Sequence, residues 1–530
     1  MIRGAWTFVT SLVDRATGVA VLAVLAAGVF AVEELGWPMA RGRDMWDYLL
    51  YYLSLPDGHP VFGDLMVFRT PVTPIVLGVP FQIGGAEALV PVFGLLFVVS
   101  VVAWTAVAAT FGRGAAVVTA ALLLCYTGYA GLFHQASSDA IFATGFALWC
   151  LGVVRTLRTP SFRRFAWLGV GVAILTLTRP ASQVLLVAVL LPLLVAWPWK
   201  PRLTGAAILL AAAVLPLAAW ATVNWVRYDE PVVARGGTVW VPFFRIFLDD
   251  RAIDPDNGSA SRRLGDAIRR DVLTLPPYRR LGVDLDTYLQ GGSNFEVMRL
   301  IKLSDDVFGR GDDYHVLLDA ALEAAWAKPG LVLGGTADNV WTFMRQRGTR
   351  DPVRRAPAMF PPPPATVEAA NGKPMPSPES LSPLLPAIGM GLVWCPTDDY
   401  ARCILDHPEA VYHDPALARR YRELTDRVGR WNAELPLRDG RESVADRLNG
   451  VARRFPTPPF WLALAAVGLV VRRPTGTRSI LVLVGLAFAI VLVHAVSQLP
   501  APEFVLPVYP AFVVAAVAAL GGARRPAKAA

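Results

Sequence analysis

The chain alternates long uncharged runs with short polar stretches. A helix that crosses the hydrocarbon core of a bilayer needs about 20 mostly apolar residues. Ten runs approach that length once flanking residues are counted, namely 16–32, 88–112, 114–133, 140–154, 165–178, 180–199, 203–226, 455–471, 479–501 and 504–523. The pattern predicts a mostly α, polytopic membrane helical bundle with about ten transmembrane helices.

An eleventh uncharged run, residues 70–86, contains three prolines and three glycines, which disfavour a continuous helix. If this run does not cross the membrane and the N-terminus is cytoplasmic, most basic residues of the short loops fall inside, as the positive-inside rule requires. Counting it as a span would place those loops outside. We therefore predict a re-entrant or interfacial segment within an outer loop at 37–87. The first run lacks a small-residue cleavage site, so we expect an anchor, not a cleaved signal peptide.

This topology divides the chain into three parts. Residues 1–226 form an N-terminal transmembrane module, and residues 455–530 form a C-terminal one that holds the last three helices. The insertion at 227–454 is long enough to fold as an extracytoplasmic domain. Helical patterns at 313–327, 329–345 and 414–449 predict a largely helical domain, divided by a Pro-rich link at 352–386.

Composition narrows the class. With 54% hydrophobic and 17% charged residues and a mean hydropathy of +0.44, the chain is too apolar for a soluble enzyme of 530 residues. The net charge of +8 sits in short clusters between apolar runs, which argues against nucleic acid as a partner. An excess of arginine over lysine indicates a G+C-rich bacterial genome. Cys395 and Cys403 can pair if their region faces an oxidising compartment, and no zinc pattern is present.

The densest chemistry lies at residues 41–52, just after the first apolar run. Asp44 and Asp47 stand three apart, one helical turn, among aromatic residues that include Tyr48. Aromatic rings prefer the headgroup level of a bilayer. The stretch is therefore either an interfacial amphipathic helix with solvated carboxylates or a site at the membrane surface.

Other polar residues fall on the same predicted outer face. Arg179, between two apolar runs, is either a snorkelling arginine or a phosphate clamp. His134 and Asp139 suit a plain loop, a metal site or a substrate contact. Glu503 precedes the last run, where the helix dipole alone favours an acid.

Five short segments, taken together, resemble the GT-C superfamily of membrane glycosyltransferases. They are Arg43-Asp-Met-Trp-Asp-Tyr48, Phe68-Arg-Thr-Pro-Val-Thr-Pro74, Ser138-Asp139, Leu177-Thr-Arg-Pro180 and Leu506-Pro-Val-Tyr-Pro510. The chain is most similar to the branch of protein O-mannosyltransferases and lipid A aminoarabinose transferases. The resemblance covers roughly residues 10–226 and 455–523, and it does not extend to the outer domain.

The resemblance implies an enzyme of the bacterial cytoplasmic membrane that passes a sugar from a polyprenyl-phosphate donor to an extracytoplasmic glycan, lipid or protein. A single displacement would invert the anomeric carbon. The position that matches the family's catalytic base is Asp44, with Asp47 as its rival, and Arg69 and Arg179 would hold the donor phosphate. We also expect substrate contacts from a further set of residues on this face: Tyr48, His134, Asp139 and Glu503.

Two other classes stay open at this point. A flippase for a polyprenyl-linked glycan, or a non-catalytic cell-envelope scaffold, could share these features. The absence of a chain of acids within the apolar runs argues against ion-coupled transport. A divalent cation stays open as a cofactor, because no clear ligand set is visible.

Overall fold

The structure is a computed structural model that describes residues 16–42, 44–55, 68–236, 241–291, 294–350, 366–369, 371–376, 419, 423, 441–498 and 501–521. These residues are mostly helical, and the chain is a multi-pass membrane protein, as the hydrophobic pattern predicts. Side chains of some helical residues, Asp47 among them, fall outside the description. The description also leaves out Cys395 and Cys403, most of 414–449, and the Pro-rich link apart from residues 366–369 and 371–376.

The first half of the chain forms helices that follow the uncharged runs. They are α1 (Ala16–Glu33), α2 (Met45–Ser54), α3 (Val72–Ala109), α4 (Arg113–Cys125), α5 (Thr127–Ala130), α6 (Ser138–Arg158), α7 (Phe162–Thr178) and α8 (Trp199–Tyr228). Two 3₁₀ helices accompany them, Gly131–His134 and Pro180–Leu194. The run at 180–199 is thus a 3₁₀ helix of 15 residues and not the α-helix that its composition suggested.

The second half begins with short helices and ends with long apolar ones. The first group is α9 (Val241–Leu248), α10 (Ser259–Ala267), α11 (Pro276–Leu281), α12 (Leu285–Gly291), α13 (Asn294–Phe308), α14 (His315–Ala327) and α15 (Pro329–Arg345), with a π-helical turn at Ile268–Val272 and 3₁₀ turns at Pro255–Asn257 and Arg310–Asp312. The last group is α16 (Arg441–Arg454), α17 (Pro458–Arg472), α18 (Thr477–Ser497) and α19 (Tyr509–Gly521), with 3₁₀ turns at Pro502–Phe504 and Leu506–Val508 before α19.

Two small sheets connect these helices. A parallel pair joins β1 (Ala40–Arg41) to β2 (Gln135–Ala136), with Ala40 opposite Gln135. An antiparallel pair joins β3 (Thr366–Glu368) to β4 (Pro374–Pro376). The parallel pair ties the chain after α1 to the chain before α6, so it brings two of the predicted polar clusters together.

Six helical stretches of the described chain are long and apolar enough to cross a membrane: Val72–Ala109, Ser138–Arg158, Trp199–Tyr228, Ser443–Arg472, Thr477–Ser497 and Pro502–Gly521. A seventh is counted if Arg113–Cys125 and Thr127–His134, which meet at 70°, form one span. Two shorter apolar helices add Thr17–Glu33 and Pro180–Leu194. Each of the ten predicted runs therefore contains a helix, although not all are long enough to span alone.

Helix α3 is broken at Gly84–Gly85, where Gly85 has φ 67° and ψ −153°. Only glycine adopts such a backbone easily. The first part of α3 packs on α2, and a Cβ at Gly78 would come within 2.1 Å of the Tyr52 ring. The run at 70–86 is thus separated from the helix that follows it by glycines and not by its prolines; its re-entrant or interfacial position remains a prediction.

The helices of the bundle approach closely where glycine replaces a side chain. A Cβ at Gly169 in α7 would lie 2.2 Å from the Leu209 carbonyl oxygen in α8, and one at Gly468 in α17 would lie 2.8 Å from Ala519 in α19. The core between the helices is aromatic and aliphatic, with Trp104 fully buried. Close packing of this kind drives helix association in a bilayer, where the hydrophobic effect is weak.

A second hydrophobic core lies apart from the bundle. It is formed by side chains from α9 to α14 and from β4, including Phe243, Leu264, Tyr288 and Met375. Helix α14 begins at His315 and not at 313, because Asp313 and Tyr314 both have positive φ angles. This second core supports the surface on which Phe68 packs.

The two ends of the bundle carry different side chains. At one end, Thr73 donates to the Thr178 carbonyl over 2.9 Å. At the opposite end, Arg158 donates to the Thr110 carbonyl and Arg478 to the Leu194 carbonyl. The positive-inside argument assigns these two groups to opposite sides of the membrane, and the identity of each side remains a prediction.

Candidate functional site

The backbone around Asp44 is held by the loop before α6. Gly42 donates its N–H to the Ala136 carbonyl over 3.2 Å, directly after the β1–β2 pair. A Cβ at Gly42 would approach the same oxygen to 2.5 Å, so the contact requires glycine. Two residues later, Asp44 adopts φ 59° and ψ 13° at the start of α2. Aspartate tolerates this left-handed conformation better than most residues.

Asp44 forms an ion pair with Arg69. The Arg69 Nη1 lies 3.3 Å from the Asp44 Oδ2, and the two side chains are 27% and 37% exposed. The guanidinium also lies over the Tyr48 ring, 5.3 Å from its centroid. Arg69 follows Phe68, whose ring stacks 6.0 Å from that of Tyr314 in the second core. The second core therefore contributes to the position of Arg69.

A second pair, Arg179 with Asp139, lies where α7 ends and α6 begins. The Arg179 Nη1 donates to the Asp139 Oδ1. The two side chains are only 13% and 5% exposed. The Arg179 guanidinium also lies 4.9 Å from the centroid of the Phe504 ring. This pair is more enclosed than the first, and its charges face the bundle.

Tyr48 lies between the two pairs. It is buried, and the Ser138 side chain lies close enough to its hydroxyl to lower its pKa. Burial raises the pKa of Tyr48, and the positive charges of Arg69 and Arg179 partly oppose that rise. The positive charges of both guanidiniums therefore act on the pKa of this one tyrosine. The structure brings together Asp44, Arg69, Tyr48, Asp139 and Arg179, which the sequence placed in four separate segments.

The arrangement offers three chemical functions within one site. The half-exposed Asp44 carboxylate can accept a proton from a group that approaches from solvent. Two guanidiniums can hold an anion such as a phosphate, for which their planar donor geometry is suited. The neutral Tyr48 hydroxyl can keep its place between the two pairs without adding a charge.

His134 belongs to a different cluster. Its Nδ1 lies 2.8 Å from the Glu34 Oε2 and its Nε2 lies 3.6 Å from the Glu33 Oε2. The imidazole is fully buried and stacks on Phe30 with 4.2 Å between ring centroids. The structure therefore does not bring His134 together with Asp44 or Arg69. Its described contacts pack the end of α1 against the loop before β2.

Arg350 completes this second cluster. It donates to the carbonyls of Gly131 and His134 over 3.3 Å and 3.1 Å. Burial of the guanidinium lowers the pKa of Arg350 to about 10, while the acids Glu34 and Glu33 oppose the change. The cation is thus held in place by carbonyl oxygens and by two nearby carboxylates, which fixes the chain that leaves α15.

The remaining predicted residues contribute less to the described site. Glu503 lies in the 3₁₀ turn that carries Phe504 to Arg179, so its backbone borders the site. The Asp47 side chain and both Cys395 and Cys403 lie outside the description. Among the residues that the structure does describe, none form a group of three or more His, Cys, Asp or Glu suited to a metal ion.

Sequence reasoning included Ser138 in a motif without giving it a role in the site, and it gave no role to Phe504. Ser138 stands directly before Asp139, at the start of α6, and a hydroxyl beside a candidate acid was a usable signal. Phe504 follows Glu503, but nothing in its neighbourhood along the chain points to an arginine more than 300 residues away. Long-range ring contacts of this type have no local signature.

Two crystal structures of ArnT from Cupriavidus metallidurans are similar to the chain. One is bound to undecaprenyl phosphate and the other is in the apo state; both are 14% identical in sequence, with TM-scores of 0.31 and 0.30. Each likeness covers 95% of this chain and 77% of the other. No protein-family model and no curated protein sequence matches the chain.

Proposed function

We propose that the chain is an integral membrane glycosyltransferase. It transfers a sugar from a polyprenyl-phosphate donor to an extracytoplasmic acceptor, which is a glycan, a lipid or a protein. The observation that carries the proposal is the partly exposed Asp44 carboxylate, 3.3 Å from Arg69, with a second guanidinium at Arg179 close enough to lower the pKa of Tyr48. A base beside two phosphate-binding groups is what transfer from a sugar phosphate requires.

The chemical step needs one base and no separate acid. The acceptor oxygen attacks the anomeric carbon while its proton passes to the Asp44 carboxylate. The bond between the anomeric carbon and the phosphate oxygen breaks, and polyprenyl phosphate leaves with the electron pair. Because the leaving group is already a phosphate, it does not need the protonation that a glycosidic oxygen needs. One displacement inverts the anomeric centre.

Arg69 has two competing partners in this scheme. Without donor it pairs with Asp44, which keeps the carboxylate at the mouth of the site. A donor phosphate carries more negative charge than one carboxylate and would draw the guanidinium toward itself. The Asp44 carboxylate would then be left to receive the acceptor's proton. Donor binding and activation of the base are thereby coupled through a single side chain.

Arg179 acts from a fixed position. Its partner Asp139 lies in the first turn of α6, and Phe504 lies 4.9 Å from its guanidinium. A cation held in this way loses little side-chain entropy when it meets an anion. We assign Arg179 to the charge that develops on the leaving phosphate, and Asp139 to the positioning of Arg179.

The proposal is tested with purified protein in lipid nanodiscs, synthetic polyprenyl-phospho-sugars and alkyl glycosides that offer free hydroxyls. Mannose, arabinose, galactose and glucose donors are compared, with and without a chelator, which also decides the need for a divalent cation. Release of polyprenyl phosphate together with a glycosylated product supports transfer. Donor that crosses a vesicle bilayer unchanged supports a flippase instead. If neither transfer nor crossing is observed, the result supports a scaffold.

Asp44→Asn is the sharpest variant. We expect transfer to fall by about 10²- to 10⁴-fold, the usual contribution of a general base. Asparagine also tolerates the left-handed backbone at this position, so the fold should persist. The matched control is Asp229→Asn, because Asp229 has the same φ of 59° at the end of α8 and lies away from the pairs.

The outcome assigns the base. Full activity in Asp44→Asn would remove Asp44 from that role. If Asp47→Asn abolishes transfer while Asp44→Asn does not, the base is Asp47. Donor affinity, measured by a binding titration, should be the same or higher in the inactive Asp44→Asn variant than in wild type, because the carboxylate no longer competes for Arg69.

A further inference from the structure

The turn between α14 and α15 exposes large apolar side chains. Trp326 is 85% exposed and Leu333 is 69% exposed, the highest exposures among the large apolar residues of the outer domain's described helices. These two side chains, together with Leu322, Leu331 and Trp341, form the surface that we call the α14–α15 face. Several large apolar side chains exposed on two helices that contact each other mark a contact of the domain with another apolar phase.

One stripe along α14 changes character toward the turn. His315, Asp319, Leu322 and Trp326 follow a spacing of three or four residues, and all are exposed. The first two are polar and the last two are apolar. The exposed side of α14 is therefore polar near its start and apolar near its end, as expected of a helix whose last turns lie in an apolar phase.

The opposite side of α15 is fixed to the bundle. Asn339 donates to the Ala495 carbonyl, near the end of α18, over 3.4 Å. Phe343 lies 5.9 Å from Phe504, beside the site end of the bundle. Helix α15 also packs on α17. The α14–α15 face is thus carried by a helix that lies against two membrane-spanning helices.

The same two helices present apolar side chains outward. On α17, Phe460 is 48% exposed near the N-terminus, and on α18, Leu492 is 41% exposed one turn before Ala495. These side chains contact lipid if α17 and α18 cross the membrane. Because α15 packs on both helices at this end, the apolar surface of the spans continues onto α15.

The edge of the face has the composition of a membrane interface. Trp326 and Trp341 lie at opposite ends of it, and the Arg345 guanidinium lies 5.6 Å from the centroid of the Trp341 ring. Tryptophan rings prefer the headgroup level of a bilayer, and arginine reaches from there to phosphate and water.

We propose that the α14–α15 face is a membrane-docking surface of the outer domain. It lies in the boundary between headgroups and acyl chains of the leaflet at this end of the bundle, so the domain is seated on the bilayer by its own side chains as well as by the spans that flank it. The occupant is lipid of the same membrane. The proposal stands independently of the catalytic one.

Site-directed fluorescence tests this placement. A variant with all four cysteines replaced by serine receives Leu333→Cys and is labelled with an environment-sensitive nitrobenzoxadiazole dye in nanodiscs. We expect quenching by phosphatidylcholine with a shallow doxyl group, and aqueous iodide quenching reduced by about half relative to a water-exposed site. The matched control is Asp319→Cys, an exposed position on the polar part of the α14 stripe.

Each other outcome overturns the proposal. Equal iodide quenching at positions 333 and 319 would place the face in water. Protection from both iodide and doxyl lipid would mean that protein covers it, and the mass of the detergent-solubilised particle would then show whether a second copy is the cover.

A second measurement avoids the cysteine replacements. Wild-type protein and the Trp326→Gln/Trp341→Gln double variant are compared in bilayers with brominated lipids. We expect the variant to lose part of the tryptophan quenching seen in wild type, since two lipid-facing rings are gone. Unchanged fractional quenching in a folded double variant would also overturn the placement.

Discussion

The two aspartate–arginine pairs have the same chemistry and opposite surroundings. Asp44 and Arg69 are 37% and 27% exposed, and they lie on chain outside the long helices. Asp139 and Arg179 are 5% and 13% exposed, and they lie where two long helices meet. The first pair also depends on the second core through Phe68 and Tyr314, whereas the second pair is held within the bundle.

The difference separates a reacting group from a supporting one. A carboxylate that accepts a proton must be reached by substrate, and of the two carboxylates in these pairs Asp44 is the open one. A buried carboxylate beside a buried cation mainly neutralises it, and its removal leaves an uncompensated charge. We therefore expect loss of the exposed carboxylate, Asp44, to change mainly activity and loss of the buried carboxylate, Asp139, to change mainly stability.

The largest stability effect should follow Asp139→Ala. Removing one partner of a buried ion pair costs about 3 kcal/mol, the lower end of the usual range, because Arg179 retains some contact with solvent. Asp44→Ala should cost at most about 1 kcal/mol, as exposed pairs do. Thermal unfolding in detergent measures both. Equal losses in the two variants would contradict the distinction between the pairs.

Arginine-to-lysine substitutions should separate the pairs in a second way. Lysine keeps the charge but cannot offer two parallel donors. For Arg69→Lys we expect the donor KM to rise about tenfold, equivalent to about 1.4 kcal/mol. Arg179→Lys, in its fixed position, should lower kcat more than it raises KM. Donor titrations with initial rates give both constants, and the same KM-to-kcat pattern in both variants would argue against separate roles.

The smallest effect should come from Tyr48→Phe, which removes only the hydroxyl that meets Ser138. Loss of such a contact costs about 0.5 kcal/mol, the lower end of the range for a hydrogen bond. Because burial raises the pKa of Tyr48 above its ordinary value of 10.0, its neutral form stabilises the fold below pH 10 and that contribution is lost as the pH rises further. The rate between pH 7 and 9 should therefore have the same profile in Tyr48→Phe and wild type. A changed profile in that range would give the hydroxyl a role in proton transfer.

Hydrophobic patterning predicted the helices well because a membrane span needs about 20 apolar residues whatever its neighbours are. Helix α15 has the bounds that the sequence suggested. The 3₁₀ form of Pro180–Leu194 was not foreseen, because run length reports burial and not the hydrogen-bond pattern. The left-handed residues Asp313 and Tyr314, which delay the start of α14, also have no clear signal in composition.

The candidate site was predictable to the extent that its residues are polar where apolar residues are expected. Asp44, Arg69 and Arg179 stood out for that reason. The pairing of Asp139 with Arg179 and the burial of His134 against Glu34 arise from contacts across 40 and 100 positions of the chain. Residue spacing carries no information about such distances, so a loop and a packed cluster looked alike at His134.

Arg350, which follows α15, is hydrogen-bonded to Asn449, which lies in α16. The Arg350 N–H donates to the Asn449 Oδ1 over 2.8 Å, and the Asn449 side chain donates back to the Arg350 carbonyl. The chain between Arg350 and Asn449 therefore ends close to where it begins. The length of the chain between β4 and α16 can consequently change, over evolution or by engineering, without moving the ends of α15 and α16, whereas the part that carries β3 and β4 is held by the second core.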